Sequence, residues 1–169
     1  MSDPQKLKQL LEGFVDALRS NPEIGRAPKT ATVRVTDGTA CEIEVDGHKL
    51  VADIAAVLGG QNKGPAPGAL LRAGLGSCLA INYVIWAAKL GVPLDHVEVA
   101  IEGDVDPRGA LGASDTVAAG YTGFRYRTLI KSAAPSDRIQ AVIETADRHS
   151  AVLNTISGAI PVKGEWQRA

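Results

Sequence analysis

The stretch ALLRAGLGSCLAINYVIWAAKLG, residues 69–91, is almost wholly apolar and carries Cys78 near its middle. Its length approaches that of a membrane-spanning helix. Arg72, Asn82, Lys89 and three glycines interrupt the run or stand at its end, which a membrane span disfavours. The sequence therefore predicts a central helix that is buried by protein on most sides, and no membrane partner.

The composition is that of a soluble globular protein with one domain. The chain has 169 residues, of which 45% are apolar and 22% charged. A formal net charge of −1 leaves no basic excess for a phosphate backbone, so we expect no nucleic acid partner. The N-terminus MSDPQKLKQL lacks an apolar signal segment, and the two cysteines form no disulfide framework. We expect a cytoplasmic protein with reduced thiols.

The first twenty residues predict an amphipathic helix. Ser2 or Asp3 is expected to cap it, Pro4 to occupy its first position, and Asn21-Pro22 to end it. The helix is expected either to pack on its own domain, which we favour, or to act as a dimer arm. Its apolar face is formed by Leu7, Leu10, Leu11, Phe14, Val15 and Leu18.

The remaining pattern predicts an α+β fold that begins with an N-terminal antiparallel β-meander. Alternating residues and two Asp-Gly turns indicate three strands before a glycine- and proline-rich loop at 57–68. A C-terminal helix is expected to open at Pro135 and Ser136. Strands are predicted at residues 30–36, 40–46, 48–54, 97–102, 121–132 and 160–167, with a second long loop at 105–120.

No motif indicates a metal or a nucleotide cofactor. His48, His96 and His149 have no metal-ligand spacing. Gly74-Leu-Gly76 does not follow a strand and lacks the third glycine of a dinucleotide fingerprint. We therefore expect neither a metal nor a cofactor.

Two features point to a site. The apolar stripe of the C-terminal helix, at residues 139, 142, 143 and 146, continues at His149 and Ser150 by helical spacing. Polar groups at the end of such a stripe need hydrogen-bond partners, and a histidine at a helix C-terminus often finds them locally. Cys78 is the second feature. An apolar helix suits an inert thiol, whereas the small neighbours of Cys78 allow close approach, and the residues alone leave both interpretations open.

A recognisable motif runs from the loop before the predicted central helix into the strand after it. It consists of Pro67, Leu70, Leu71, Ala73, Ser77, Cys78, Leu79, Ala80, Gly91, Val92, Pro93, Leu94, Val97, Glu98 and Val99. With this motif, the region from about residue 29 to 165 resembles the OsmC/Ohr family. Members of that family form intertwined homodimers, with a long buried central helix and two active sites at the subunit interface. Many members reduce organic hydroperoxides: one cysteine becomes a sulfenic acid, and a second resolves it as a disulfide. The resemblance implies one OsmC-like domain at 26–169 after a helical extension at 1–25.

The resemblance also implies roles for individual residues. Cys78 matches the peroxide-attacking cysteine, and Ser150 stands at or near the place of the second cysteine. Gly68 follows Pro67 where the family has a glutamate, and Arg34 is the loose candidate for the family's active-site arginine. His149 would compensate for these losses if it paired with the Cys78 thiolate as an imidazolium.

Together these observations predict a redox protein that reduces organic hydroperoxides through Cys78 with an external thiol reductant. The expected catalytic residues are Cys78, His149, Ser150 and Arg34. The alternative is a catalytically degenerate member of the family that binds a small apolar molecule in the pocket of the dimer interface.

Overall fold

The computed structural model describes residues 3–168 and has the predicted α+β class. Its helices are α1 Pro4–Ser20, α2 Pro67–Leu90, α3 Pro107–Ala110, α4 Ser136–Arg148 and α5 Ala151–Ser157. Its strands are β1 Ala31–Asp37, β2 Ala40–Val45, β3 His48–Ala52, β4 His96–Asp104 and β5 Gly123–Lys131. Short 3-10 turns lie at Pro22–Gly25 and Ala56–Leu58.

The predicted meander is confirmed. β1, β2 and β3 form an antiparallel sheet in that order, with Val33 opposite Ile43. The backbone is left-handed at Gly38, Asp46 and Gly47, as tight hairpin turns require, and this explains the two Asp-Gly pairs. β4 and β5 pair in a second sheet of two strands.

The fold divides into two compact units. The first contains the chain up to Gly74 together with Ile101–Arg125, and the second contains Leu75–Ala100 and the chain from Tyr126 onward. The meander therefore lies in the first unit, whereas most of α2, all of α4 and all of α5 lie in the second. The division into an extension at 1–25 and a domain at 26–169 stays a prediction.

A buried carboxylate organises the loop between the meander and α2. Asp53 accepts hydrogen bonds from the Thr39 hydroxyl at 2.7 Å and from the backbone N–H groups of Ile54, Gln61 and Lys63 at 2.8, 2.9 and 3.1 Å. These bonds, above all the one from Thr39, lower the pKa of Asp53 although burial opposes them. The loop is thus tied to the end of β3 by one charged side chain.

The core of the second unit forms between α2 and α4. The buried residues of α2 include a stripe at every fourth position: Leu75, Leu79, Tyr83 and Ala87. The predicted stripe of α4 is confirmed at Val142 and Ala146, which are fully buried. Val142 packs in a cluster with Ala87, Val92 and Leu94, against which Trp86, Val97, Ile130 and Ala134 also pack.

Helix α2 has an unusual surface for a core helix. In the part of the chain that the structure describes, it is the one helix long and apolar enough to cross a membrane, a test that core helices also pass. Only 17% of the most apolar 18-residue segment of this helix is buried within this chain. Ile81, for example, is 59% exposed.

Helix α1 begins and ends as predicted. Asp3 is its N-cap, accepting from the backbone N–H of Gln5 at 2.9 Å, and Asn21 is its C-cap; Ser2 lies outside the described residues. None of the residues of α1 is fully buried, and Phe14 is 58% exposed, but Leu7, Leu11, Val15 and Leu18 on its predicted apolar face are half-buried. The packing of α1 on its own domain stays a prediction.

The C-terminal part departs from the sequence prediction. No regular element covers 160–167, so the predicted last strand is wrong. Pro161 has no N–H to donate to a ladder, and Ile160, Val162 and Trp166 are exposed. The helical stripe does not run on to Ser150 either, because α4 ends at Arg148 and a separate helix, α5, follows.

We predict that the Asp53→Asn variant is destabilised at neutral pH and that this loss shrinks in acid. An aspartate in the unfolded chain has a pKa of about 4, whereas the pKa of Asp53 is lower in the folded protein. The carboxylate therefore contributes its full stabilisation at pH values above the pKa of the unfolded chain. This contribution is lost as the pH falls from there through the lower pKa of the folded protein. Melting temperatures from pH 7 to pH 2 measure the effect.

The matched control is Glu42→Gln, which removes one negative charge from an exposed position of the same sheet. A difference in melting temperature between wild type and Asp53→Asn that stays constant from pH 7 to pH 2 contradicts this account of the loop.

Candidate functional site

Cys78 lies half-buried on α2 with two polar side chains at its sulfur. The Ser150 Oγ is 3.3 Å from the Cys78 Sγ, and the Asn82 Nδ2 donates to the same sulfur at 3.5 Å. Asn82 follows Cys78 by four residues, so the two side chains share one face of the helix. The structure thus brings Cys78 and Ser150 together across 72 residues of sequence.

Ser150 has a second role as a helix cap. Ser150 is fully buried and is the N-cap of α5, where its Oγ accepts a hydrogen bond from the backbone N–H of Leu153 at 3.3 Å. The cap uses one of the two lone pairs of the hydroxyl oxygen, so Ser150 can donate its hydrogen to a Cys78 thiolate or accept from a Cys78 thiol through its other lone pair. Two donors, from Ser150 and Asn82, can therefore stabilise negative charge on this sulfur.

The junction between α4 and α5 is held by local hydrogen bonds. The Ser150 N–H donates to the Asp147 carbonyl at 3.2 Å. The Asn154 side chain donates to the carbonyls of Ser150 at 2.7 Å and Arg148 at 3.2 Å. Hydrogen bonds with residues that precede and follow Ser150 thus hold the turn that contains it.

Asp147 ties this junction to its surroundings. Its carboxylate accepts from the Tyr83 hydroxyl at 2.8 Å and from the Tyr126 hydroxyl at 2.7 Å. Tyr83 lies on α2 and is fully buried, and burial, together with Asp147, raises its pKa above the ordinary tyrosine value. Burial and the bond to Asp147 also raise the pKa of Tyr126, to about 12.

His149 has other partners than the predicted thiolate. It is the exposed C-cap of α4, and its Nδ1 donates to the Thr145 carbonyl at 2.8 Å. Its ring centroid is 4.6 Å from that of Trp86, and the Lys89 ammonium lies 4.1 Å from the same indole centroid. The described contacts of His149 do not include Cys78, and its imidazolium role stays a prediction.

Arg34 lies on β1 in the first unit. Its guanidinium forms an exposed ion pair with Glu44 at 3.5 Å. The catalytic role expected for Arg34 stays a prediction as well.

At the start of α2, Tyr121 lies against Gly68, the position where the family resemblance implies a glutamate. The Tyr121 hydroxyl accepts from the Arg72 Nη1 at 2.5 Å and donates to the Gly68 carbonyl at 3.3 Å. A Cβ at position 68 would lie only 2.5 Å from this hydroxyl oxygen. The space in which a glutamate side chain would begin is therefore filled by Tyr121.

Sequence analysis missed Asn82 and Tyr121 as site residues. Asn82 carried a usable signal, since it is polar within an apolar run and lies four residues from Cys78. Tyr121 carried none, because 49 residues separate it from Arg72. Among residues 3–168, no group of three or more His, Cys, Asp or Glu side chains is placed to hold a metal ion.

Comparison with known proteins places these residues in a family context. The family model described as OsmC-like protein matches residues 60–165, more than half of the chain. No curated protein matches the sequence.

Solved structures match the fold. The OsmC-like protein from Mycoplasma pneumoniae has a TM-score of 0.66 at 16% identity, over 78% of this chain and 89% of that chain. An OsmC-like protein of unknown function from Vibrio cholerae gives 0.59 at 14%, over 77% and 94%. The organic hydroperoxide resistance protein OsmC from Legionella pneumophila gives 0.58 at 20%, over 79% and 93%.

We predict that Gly68→Ala destabilises the protein. Replacing a helical glycine by alanine ordinarily stabilises by about 0.5–1 kcal/mol. Here the new methyl group would meet the Tyr121 hydroxyl, so we expect the opposite sign. In a Tyr121→Phe background the obstruction is gone, and Gly68→Ala should become neutral or stabilising.

Urea unfolding of the two single variants, the double variant and the wild type measures this double-mutant cycle. Equal effects of Gly68→Ala in both backgrounds would show that Tyr121 does not exclude a side chain at position 68.

Proposed function

This chain belongs to the OsmC-like protein family, and we propose that within it the chain reduces organic hydroperoxides through the Cys78 thiolate. The observation that carries the proposal is the pair of hydrogen bonds at the Cys78 sulfur, from Ser150 and Asn82. Thiolate is the nucleophilic form of cysteine, and groups that donate to it favour that form. The relative from Legionella pneumophila, described as an organic hydroperoxide resistance protein, supports the substrate class.

The first step oxidises the thiol. The thiolate attacks the terminal oxygen of ROOH, an S–O bond forms, and the O–O bond breaks. The alkoxide leaves and takes up a proton as ROH, while the sulfur, oxidised by two electrons, becomes a sulfenic acid. The Ser150 and Asn82 donors that contact the thiolate also lie beside the atom at which the new S–O bond forms.

The second step needs a thiol from outside. Ser150 offers a hydroxyl where a cysteine would close a disulfide, and Cys41 directs its thiol to the Thr39 carbonyl at 3.6 Å. A reductant thiol therefore attacks the sulfenic sulfur and releases water, which leaves a mixed disulfide. A second thiol then frees Cys78 by exchange. A cytoplasmic location, where thiol reductants are maintained, is part of the proposal.

A homodimer is also part of the proposal. Every residue of β1 is exposed in the single chain, and its apolar Val33 and Val35 are 56% and 68% exposed. Apolar strand faces and helices that stay uncovered mark interaction surfaces. A second copy of the chain would cover this sheet face and the exposed side of α2.

We expect the protein to sediment at twice the chain mass of 17.6 kDa, and Val35→Glu to shift it toward the monomer. Thr32→Glu, on the other face of the same strand, is the matched control and should leave the mass unchanged. A wild-type protein that is monomeric at micromolar concentration contradicts the dimer.

The function itself is tested by turnover of cumene hydroperoxide with dithiothreitol. We predict that the wild type and Cys41→Ser consume peroxide at similar rates and that Cys78→Ser consumes none. The reason is that only Cys78 has donors placed at its sulfur to stabilise a thiolate. Stopped-time assays of residual peroxide, with mass spectrometry of Cys78 after peroxide alone, provide the measurement.

A Ser150→Cys variant sharpens the test. Its new thiol would lie within reach of Cys78, so peroxide should yield an internal disulfide in place of a sulfenic acid. Indifference of Cys78 to peroxide in all variants would overturn the proposal and favour a protein that binds a small apolar molecule.

A further inference from the structure

We propose that Tyr83 and Asp147 are positioning residues for the Cys78 thiol. Their hydrogen bond holds the junction between α4 and α5 against α2, which keeps the Ser150 hydroxyl at the Cys78 sulfur. The inference deepens the proposed function and rests on it only in taking Cys78 as the reacting group.

The first step of the argument is that two polar ties join the same two segments. One is the Tyr83–Asp147 hydrogen bond at 2.8 Å, and the other is the Cys78–Ser150 contact at 3.3 Å. Cys78 and Tyr83 both lie on α2, about 7.5 Å apart along its axis at 1.5 Å per residue. Asp147 and Ser150 are three residues apart at the junction. The two hydrogen bonds therefore join one helix to one turn at two neighbouring positions.

The second step is that the two hydrogen bonds differ in strength. A neutral phenol donating to a carboxylate forms a charge-assisted hydrogen bond, and Tyr83 is fully buried. A hydroxyl next to a thiol is the weaker bond. The Tyr83–Asp147 bond is therefore the one that fixes the spacing, and the contact at the sulfur depends on it.

The third step is the small tolerance at Ser150. Ser150 lies between two helices, because α4 ends at Arg148 and α5 begins at Ala151. A displacement of about 1 Å away from α2 would take its Oγ beyond hydrogen-bond range of the sulfur. The Asp147 carboxylate is the charged group of this turn that binds α2 directly.

Tyr126 supplies a matched control. Its hydroxyl donates to the other oxygen of the same carboxylate at 2.7 Å, but Tyr126 lies on β5 and is exposed. Tyr126→Phe removes an equivalent bond from Asp147 without loosening the turn from α2. A positioning role for Tyr83 predicts different effects of these two substitutions.

The test measures the rate at which iodoacetamide alkylates Cys78, over pH 5 to 10, in a Cys41→Ser background. We expect Tyr83→Phe to lower the rate at pH 7 by about threefold, as the loss of part of one hydrogen bond to the thiolate would. Tyr126→Phe should lower it less. In a Ser150→Ala background, Tyr83→Phe should have no further effect, because the group through which it acts is gone.

A purely structural role for Tyr83 would give the same loss with and without Ser150, and that result overturns the inference. So does an unchanged rate in Tyr83→Phe. Asp147→Asn, which keeps the shape of the side chain, repeats the cycle if Tyr83→Phe does not fold. Alkylation requires no peroxide, so a protein that fails to reduce cumene hydroperoxide can still confirm or contradict this inference.

Discussion

The contact between the Ser150 hydroxyl and the Cys78 sulfur is the interaction on which the candidate site depends. The same oxygen caps α5 by accepting from Leu153, and loss of such a cap typically costs about 1 kcal/mol. The cap therefore holds in place the hydroxyl that contacts the Cys78 sulfur. The cap leaves the hydroxyl hydrogen uncommitted, so Ser150 can donate it to a Cys78 thiolate.

In the proposed cycle, a serine rather than a cysteine at position 150 changes the rate at which Cys78 is regenerated more than it changes the electrostatic stabilisation of the thiolate. A hydroxyl can stabilise a thiolate as a donor, but it cannot form the disulfide that a second cysteine would form. In the proposed cycle, regeneration of Cys78 is a bimolecular reaction that is first order in the reductant, whereas an internal thiol would act at a high effective concentration. The oxidised protein would accumulate whenever reductant is scarce, which places control of the cycle outside the chain.

The sequence predicted the parts of the fold that local pattern determines. Period-two alternation and Asp-Gly turns located the meander, and the α4 stripe identified Val142 and Ala146 as buried. It also singled out Ser150, both through the family resemblance and through a helical stripe that in fact ends with α4 at Arg148. The seven-residue helix α5 has little periodicity to detect, and the alternation at 160–167 contains a proline and has no partner strand in this chain. Contacts such as Tyr83–Asp147 have no local signal at all.

The start of α2 shows how one substitution can depend on another far along the chain. A glutamate at position 68 would require space that Tyr121 occupies, so glycine and tyrosine at these two positions form a matched pair. The exchange also alters charge. A carboxylate beside Arg72 would neutralise the guanidinium, whereas a phenol accepts its hydrogen bond and leaves the positive charge in place. Within residues 3–168, the hydrogen-bond partner of the Arg72 guanidinium near the beginning of the central helix is thus a phenol rather than a carboxylate.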